Sequence, residues 1–475
     1  MDENKTSNAE ERKKRILLIY PPSPVLNRED RCQQPTKELL VIPPLPPTDL
    51  LYLAAVAEEC SYEAKIVDYS QGGDFEADLR EFKPDYLVVN VATPTFKSDI
   101  NAFTIAKEIC PDIVTIGKGA AFLTVAFEVM YFAKDLDLII YGEPEETLKE
   151  ILEGKKYSDI LGIYYRDDLR VKFTGARPFI EDLDSLPFPA RHLVDNSIYR
   201  RPDTGEVQGV IKVSRGCPFH CFFCLATPVS GAKVRKRSPQ NIVDEIKECV
   251  ELYKIKNFVF WSDIFNIDKE WVMDLCQHII DSGLDITWSA NTRADTADEE
   301  MAEMMYKAGC RLVSIGVESG SQEMLDHIGK KITLDDVRLT VRLFKKFGIK
   351  IYNYFVIGLP WETEETVEDT IDFAIELDSD FISFYTATPL PGTKFYDYAK
   401  EHNLINADTS FKSAYYYPSV NAHSLTKEQI FKLHKRAIRK FYLRPEYIFR
   451  TLLKIKSFKE FKNYFAAGLN LLFRR

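Results

Sequence analysis

Cys217, Cys221 and Cys224 fall within the eleven residues SRGCPFHCFFC, in a chain of 475 residues with nine cysteines. Thiolates are soft ligands for iron and zinc. Three on one tight loop can hold three irons of a [4Fe–4S] cluster and leave the fourth iron without a protein ligand, open to a small molecule. The competing chemistry is a Cys3His zinc site completed by His220, which would make the chain a zinc-stapled, non-enzymatic binding module. Structural zinc patterns pair two separated two-ligand knuckles, whereas His220 is adjacent to Cys221, so the spacing favours the cluster.

The elements that must position these thiols follow from periodicity. Residues 14–154 alternate short β-rich runs (Ile16–Tyr20, Ala64–Asp68, Tyr86–Val91, Ile113–Gly117, Leu136–Tyr141) with helical patterns (Thr48–Cys60, Phe75–Phe82, Asp99–Cys110, Thr124–Lys134, Glu145–Gly154). Apolar strands alternating with helices predict an α/β doubly wound parallel sheet, with ligands beyond the carboxyl ends of the strands. Residues 155–207 read as a connector, holding a strand pair and the proline-rich stretch ARPFIEDLDSLPFPARH. A second βα series over 208–398 has strands near Val210–Ser214, Asn257–Trp261, Thr287–Asn291, Leu312–Gly316, Ile351–Ile357 and Phe381–Thr386. Six repeats predict a partial (β/α)6 TIM-type barrel with its site at the strands' carboxyl ends, where the three cysteines directly follow the first strand. Residues 399–475 read as a helical, basic segment.

Composition sets the outer bounds. Hydrophobic residues at 45% and charged residues at 28% describe an ordinary globular chain of two or three domains, and exclude collagen-like, disordered and disulfide-scaffold classes. There is no run of 18 apolar residues, and the N-terminus MDENKTSNAEERKKR has no apolar h-region. With cysteines too sparse for a disulfide framework, a reducing cytoplasm is the expected compartment. The net charge of −10 is uneven. From Ser424 onward there are 14 Lys/Arg against three acids, a net of +11, which leaves −21 on the rest. A nucleic-acid binder would carry its bases on the body, so no nucleic-acid partner is expected. The tail's aromatics threaded among bases leave two readings open: a helix packed on the acidic body, or contact through 424–475 with the inner face of a membrane.

C-x3-C-x2-C after the first strand of a six-fold βα series resembles the radical S-adenosylmethionine (SAM) superfamily. The resemblance implies that the open iron binds SAM, and that an electron from a donor such as flavodoxin or ferredoxin cleaves it to a 5′-deoxyadenosyl radical that abstracts a substrate hydrogen. It also implies roles for particular residues. Phe223 matches the aromatic beside the adenine, Asp263 in FWSDIFNID the group handling the SAM amino end, and Arg293 in NTRAD a further contact. Glu318 and Ser319 in IGVESGSQEML resemble the ribose and carboxylate contacts. Gly358 in FVIGLPWET would let backbone approach the adenine. Without the resemblance, Asp263 reads as a helix N-cap and Glu318 as a surface carboxylate.

The segments IPPLPPTDLLYLAAVAEE, IVTIGKGAAFLT, YGEPEETLKEIL and RPFIEDLDSLPFPAR, together with FYLRPEYIFRTLLK near the end, resemble the cobalamin-binding-domain branch of that superfamily. Within it they are similar to the anaerobic magnesium-protoporphyrin monomethyl ester cyclase and hopanoid-tailoring group. This implies cobalamin as third cofactor, and methylation or oxidative cyclisation at an unactivated carbon of a lipid- or tetrapyrrole-like small molecule. All seven histidines lie at or beyond His192, so the first domain supplies no axial imidazole. Gly117, Gly119 and Gly142 are either corrin-approaching backbone or ordinary turn glycines. The second enzyme reading therefore stands beside the first: a radical SAM oxidoreductase whose first domain binds no cobalamin. The run KVRKR (233–237) reads as a solvated face.

Overall fold

The computed structural model describes residues 12–22, 26–29, 32–35, 45–168, 170–201, 204–405, 417–455 and 461–465. The first sheet comprises β1 (Arg15–Tyr20), β2 (Glu63–Asp68), β3 (Tyr86–Asn90), β4 (Val114–Lys118), β5 (Leu138–Ile140), β6 (Ile163–Asp167) and β7 (Arg170–Phe173), in spatial order β2-β1-β3-β4-β5-β6-β7. The first five run parallel and the last two antiparallel. Because side chains alternate across a strand, Ile16 and Leu18 join the helices Thr48–Glu59 and Glu145–Leu152 on one face. Leu17 and Ile19 join Phe75–Phe82, Phe96–Ile109 and Ala126–Phe132 on the other. The sheet is thus doubly wound, and its topological switch point lies between β1 and β3.

The pattern of the sequence assigns the β6–β7 hairpin to a connector starting at residue 155; it instead completes the first sheet, which runs to Phe173. Ile163 and Tyr165 are the buried alternate residues of β6, and they cover the edge that β5 would otherwise leave open. What remains of the connector is a string of 3-10 turns, as its prolines require.

The second sheet holds β8 (Gln208–Lys212), β9 (Asn257–Trp261), β10 (Thr287–Thr292), β11 (Cys310–Glu318), β12 (Lys350–Ile357) and β13 (Phe381–Thr386). All are parallel and in sequential order, the arc of a partial barrel. Its helices start where the sequence offers a capping oxygen. Ser238, Asp268, Asp298, Thr333 and Thr363 each accept a hydrogen bond from the backbone N–H three residues on. One contiguous core fills the space between strands and helices, with Phe260 stacked on Trp288 at 4.6 Å between ring centroids. Helix Lys394–Glu401 straddles the expected boundary at 398, and the basic segment follows as helices Lys427–Tyr442 and Pro445–Lys454. No helix among the described residues is long and apolar enough to cross a membrane.

Candidate active site

The loop from Gly216 to Cys224 leaves the carboxyl end of the barrel's first strand and is pinned along its length. Gly216 has φ +100°, and a Cβ there would sit 2.0 Å from the Lys233 carbonyl oxygen, so only glycine lets the two segments cross. The Gly216 N–H donates to Asp263 Oδ2 at 2.7 Å and the Cys217 N–H to the Gly231 carbonyl at 3.0 Å. Thr227 Oγ1 donates to the Phe219 carbonyl at 2.9 Å. Phe222 is wedged among Trp361, Phe395 and Tyr398, with ring centroids 4.9, 5.2 and 5.7 Å away. The N–H of Ala226 points at Cys224 Sγ, 3.4 Å away, a contact that stabilises a thiolate.

All three cysteines lie outside any disulfide and are partly exposed. Among the described residues no trio of His, Cys, Asp or Glu converges as the ligands of one metal ion. Thiolates of a cubane each bind a different iron and need no common point, whereas a zinc site requires sulfurs about 2.3 Å from one centre. His220 lies exposed on the loop. The donor set fits a [4Fe–4S] cluster on Cys217, Cys221 and Cys224.

Asp263 is not a helix cap. The following helix is capped by Asp268, which leaves Asp263 half-buried and holding the cluster loop. Glu318 sits at a register break at the end of β11 with φ +72°, a strained backbone for a residue with a side chain. Its Oε1 accepts from Lys330 Nζ at 2.7 Å. Burial alone would lower the Lys330 ammonium, but the charges of Glu318 and Cys221 hold it above the usual lysine value. Phe223 is half-buried against the barrel core.

Three of the residues expected at SAM also make contacts within the protein. Arg293 stacks on Phe219, its guanidinium carbon 3.7 Å from the ring centroid, and donates through Nη2 to the carbonyls of Lys330 and Lys331 at 2.5 and 3.0 Å. It therefore ties the cluster loop to the loop carrying Lys330. Ser319 is fully enclosed, its hydroxyl 3.1 Å from Thr370 Oγ1 and accepting from the Ser321 N–H, and so fastens a loop to the helix Glu364–Leu377. Gly358, at φ +97°, makes its close approach to the tail, since a Cβ would lie 3.0 Å from Ile430 Cγ2. Its N–H and that of Leu359 donate to Glu362 Oε2.

The first domain meets this loop directly. Gly142 opens the turn after β5 at φ +92°, with nothing within 4 Å of where a Cβ would stand. Glu143 and Glu145 follow, and both accept from Arg215, at 3.1 and 2.6 Å, two residues before Cys217. Glu143 also holds Arg235. The run 233–237 is thus no solvated face: Arg235 and Arg237 are buried, the latter on Glu245, which Arg191 of the connector shares. A cavity of about 80 Å³ lies at this seam, bounded by Asp49, Lys118 and Gly142 on one side and Lys212, Arg215 and Asp263 on the other. At the switch point, Tyr20 from the end of β1 and Asn90 from the end of β3 both donate to Asp49, at 2.5 Å each, and Lys118 pairs with it. Burial alone would raise the Asp49 carboxyl. The charges of Lys118 and Lys212, with hydrogen bonds from Lys118 and Tyr20, outweigh it and hold the group at about 2.

Gly117 and Gly119, by contrast, serve internal packing. A Cβ at Gly117 would strike the Phe122 ring at 2.9 Å, and one at Gly119 the Val91 carbonyl oxygen at 2.4 Å. Of the three candidate corrin-facing glycines, Gly142 alone borders the cavity with open space beside it. Sequence reasoning passed over Asp49, Lys118, Glu143, Glu145, Arg215 and Lys330. For Lys118, Glu143 and Glu145 the one legible signal was charge just past an apolar strand, in VTIGK (114–118) and YGEPEE (141–146).

The geometry defines a partial barrel with three cysteines on one loop at its mouth and an α/β domain set against that loop. The sequence profile of the radical SAM superfamily matches residues 211–374. An uncharacterized methyltransferase of Pyrococcus horikoshii is 33% identical over 442 residues, covering 89% of this chain and 96% of its own. The anaerobic magnesium-protoporphyrin IX monomethyl ester cyclase of Rubrivivax gelatinosus is 30% identical over 361 residues, 73% of this chain and 65% of that one. Among solved structures, the cobalamin-dependent S-adenosylmethionine radical enzyme OxsB, with aqua-cobalamin and S-adenosylmethionine bound, superposes with a TM-score of 0.73 at 16% identity, covering 97% of this chain and 71% of that one. At that identity the likeness is one of fold. The chain belongs to the radical SAM superfamily and is an enzyme.

Proposed function

We propose that this enzyme binds a [4Fe–4S] cluster, SAM and cobalamin, and uses them to methylate or oxidatively cyclise an unactivated carbon of a lipid- or tetrapyrrole-like small molecule. The observation that carries the reading is the seam itself, where the carboxyl-end loops of the first domain are ion-paired to the loop of the three cysteines, around one shared cavity. A methyl donor in the first domain must reach a substrate carbon at the barrel mouth, and a fixed seam sets that distance. Bound on Cys217, Cys221 and Cys224, the cluster supplies the electron that cleaves SAM, while cobalamin supplies a transferable methyl group.

The chain's own residues divide the remaining work. Glu318, held by Lys330 in a strained backbone at the end of β11, is oriented to accept hydrogen bonds from a ribose, with Phe223 and Asp263 on the cluster side of SAM. Arg293 and Ser319 act as positioning residues for the loops around it. On the corrin side, Gly142 gives close approach, and the Tyr20–Asp49–Asn90–Lys118 group lies at the switch point where ligands of such sheets bind. The tetrapyrrole side of the substrate class is supported by the cyclase relative; the electron comes from a small one-electron carrier of the flavodoxin or ferredoxin kind.

The test is anaerobic incubation of reconstituted protein with cobalamin, a reductant, SAM deuterated at its methyl group and a cell extract, followed by mass spectrometry. Formation of 5′-deoxyadenosine with a deuterated methyl in a new product supports methylation. 5′-Deoxyadenosine with an unlabelled product two hydrogens lighter supports cyclisation. Absence of 5′-deoxyadenosine overturns the proposal. A corrin spectrum that is lost on gel filtration would favour the reading without cobalamin.

A further inference from the structure

The basic segment splits into two helices with different surroundings. Helix Lys427–Tyr442 buries Ile430, Leu433, Ala437 and Phe441 against the barrel, with Lys440 2.6 Å from Asp372 and Arg436 3.1 Å from Glu368. Pro445 then opens the second helix, an economical first residue because its missing N–H has no partner there. Tyr447 is its one buried side chain among those described, donating to the Asp380 carbonyl at 2.8 Å. Arg450 and Lys454 pair with Asp378 and Asp380 on the same side.

The other side of this helix is apolar and uncovered. Ile448, Phe449, Leu452 and Leu453 are 43, 66, 51 and 71% exposed, at the i, i+1, i+4, i+5 spacing of a single helical face. Phe461 and Phe465, stacked at 6.0 Å, add two more exposed rings beside the exposed Lys462. Among the described residues, six of the seventeen exposed large hydrophobics fall in these 18 positions, a concentration unlike the single scattered exposures usual on a surface.

We propose that this face docks on an anionic lipid surface, with helix Pro445–Lys454 lying in the plane of the headgroups. Charge selects the occupant. The segment from Ser424 carries +11 while the rest of the chain carries −21; Arg436, Lys440, Arg444, Arg450 and Lys454 meet carboxylates of the body, and the tail's other bases draw it to anionic headgroups that the body repels. Exposed apolar side chains with an exposed base beside them, here Lys462, are what an in-plane segment inserts at the acyl boundary. The role is separate from the radical chemistry and delivers the barrel to a lipid phase.

The test uses the full chain in flotation with vesicles of phosphatidylglycerol and phosphatidylcholine, against phosphatidylcholine alone. Wild type is expected to float with the anionic vesicles, and to be released by about 0.5 M salt once that screens the headgroups. Phe449→Ser/Leu453→Ser, whose side chains are largely exposed, is expected to keep its melting temperature and lose about tenfold in bound fraction. Lys462→Glu, a second variant, is expected to lose its preference for anionic vesicles. Wild type that stays in solution, or a folded double variant that floats equally well, overturns the proposal. So does a wild-type dimer that ignores vesicles and dissociates in the double variant, which would make the face a contact between copies.

Discussion

Glu143 closes on Arg235 with two parallel contacts, Oε2 to Nη1 at 2.8 Å and Oε1 to Nη2 at 2.9 Å, and both side chains are almost wholly buried. The same carboxylate takes Arg215 at 3.1 Å and the N–H of Ile180 at 2.7 Å. One side chain from the first domain thereby fixes the residue two before Cys217, the ladder 214–215/235–236 beside it, and the connector.

Removing one partner of a buried pair leaves an uncompensated charge, at a cost of about 3–5 kcal/mol. Glu143→Ala is expected to destabilise the protein by that amount in urea denaturation, and to reduce the iron retained after reconstitution. A loss below about 1 kcal/mol with full iron content would show that the seam does not hold the cluster loop.

Glu318 and its neighbour Ser319 separate by function although they adjoin in sequence. Glu318→Gln is expected to weaken SAM binding about 10- to 100-fold, the size of a lost charged hydrogen bond, with iron content unchanged. Ser319→Ala removes the hydroxyl shared with Thr370 and is expected to cost about 1 kcal/mol of stability with SAM affinity unaltered. Equilibrium binding of SAM to both variants under anaerobic conditions checks the pair. Equal effects on affinity would contradict it.

Glu362 titrates against the fold. Full burial raises its carboxyl from the ordinary 4.5 to about 7, only partly offset by the N–H groups of Gly358 and Leu359. A raised folded-state pKa means the native chain holds the proton that the unfolded chain has released. Stability is then fully present below pH 4.5 and falls as pH rises to about 7, by on the order of 3 kcal/mol. Glu362→Gln is expected to flatten that fall in denaturation curves between pH 5 and 8. A variant with the wild-type slope would place the titrating group elsewhere.

What could be read from the sequence was what depends on local pattern. The strand runs locate all thirteen strands of the two sheets, β11 and β8 being displaced most, by two residues at each end. The cysteine spacing likewise lies within one loop. What escaped depends on pairing across long separations. Nothing near KVRKR indicates that Arg235 meets Glu143, 92 residues earlier, or that Arg215 meets Glu145, 70 earlier. The hairpin β6–β7 looked like a connector because its place is set by the open edge of β5 and not by its own residues. Nor does anything near Gly358 indicate that the tail helix, 72 residues on, comes up beside it.

That Cys217, Cys221 and Cys224 hold a cluster with one iron open to SAM is tested most directly by electron paramagnetic resonance of the reduced, anaerobically reconstituted protein, with and without SAM. The expected result is a [4Fe–4S] signal whose g-values shift when SAM is added, and which is absent when the three cysteines are replaced by serine. A signal that SAM leaves unmoved, or a cluster that persists in the triple serine variant, would contradict the assignment.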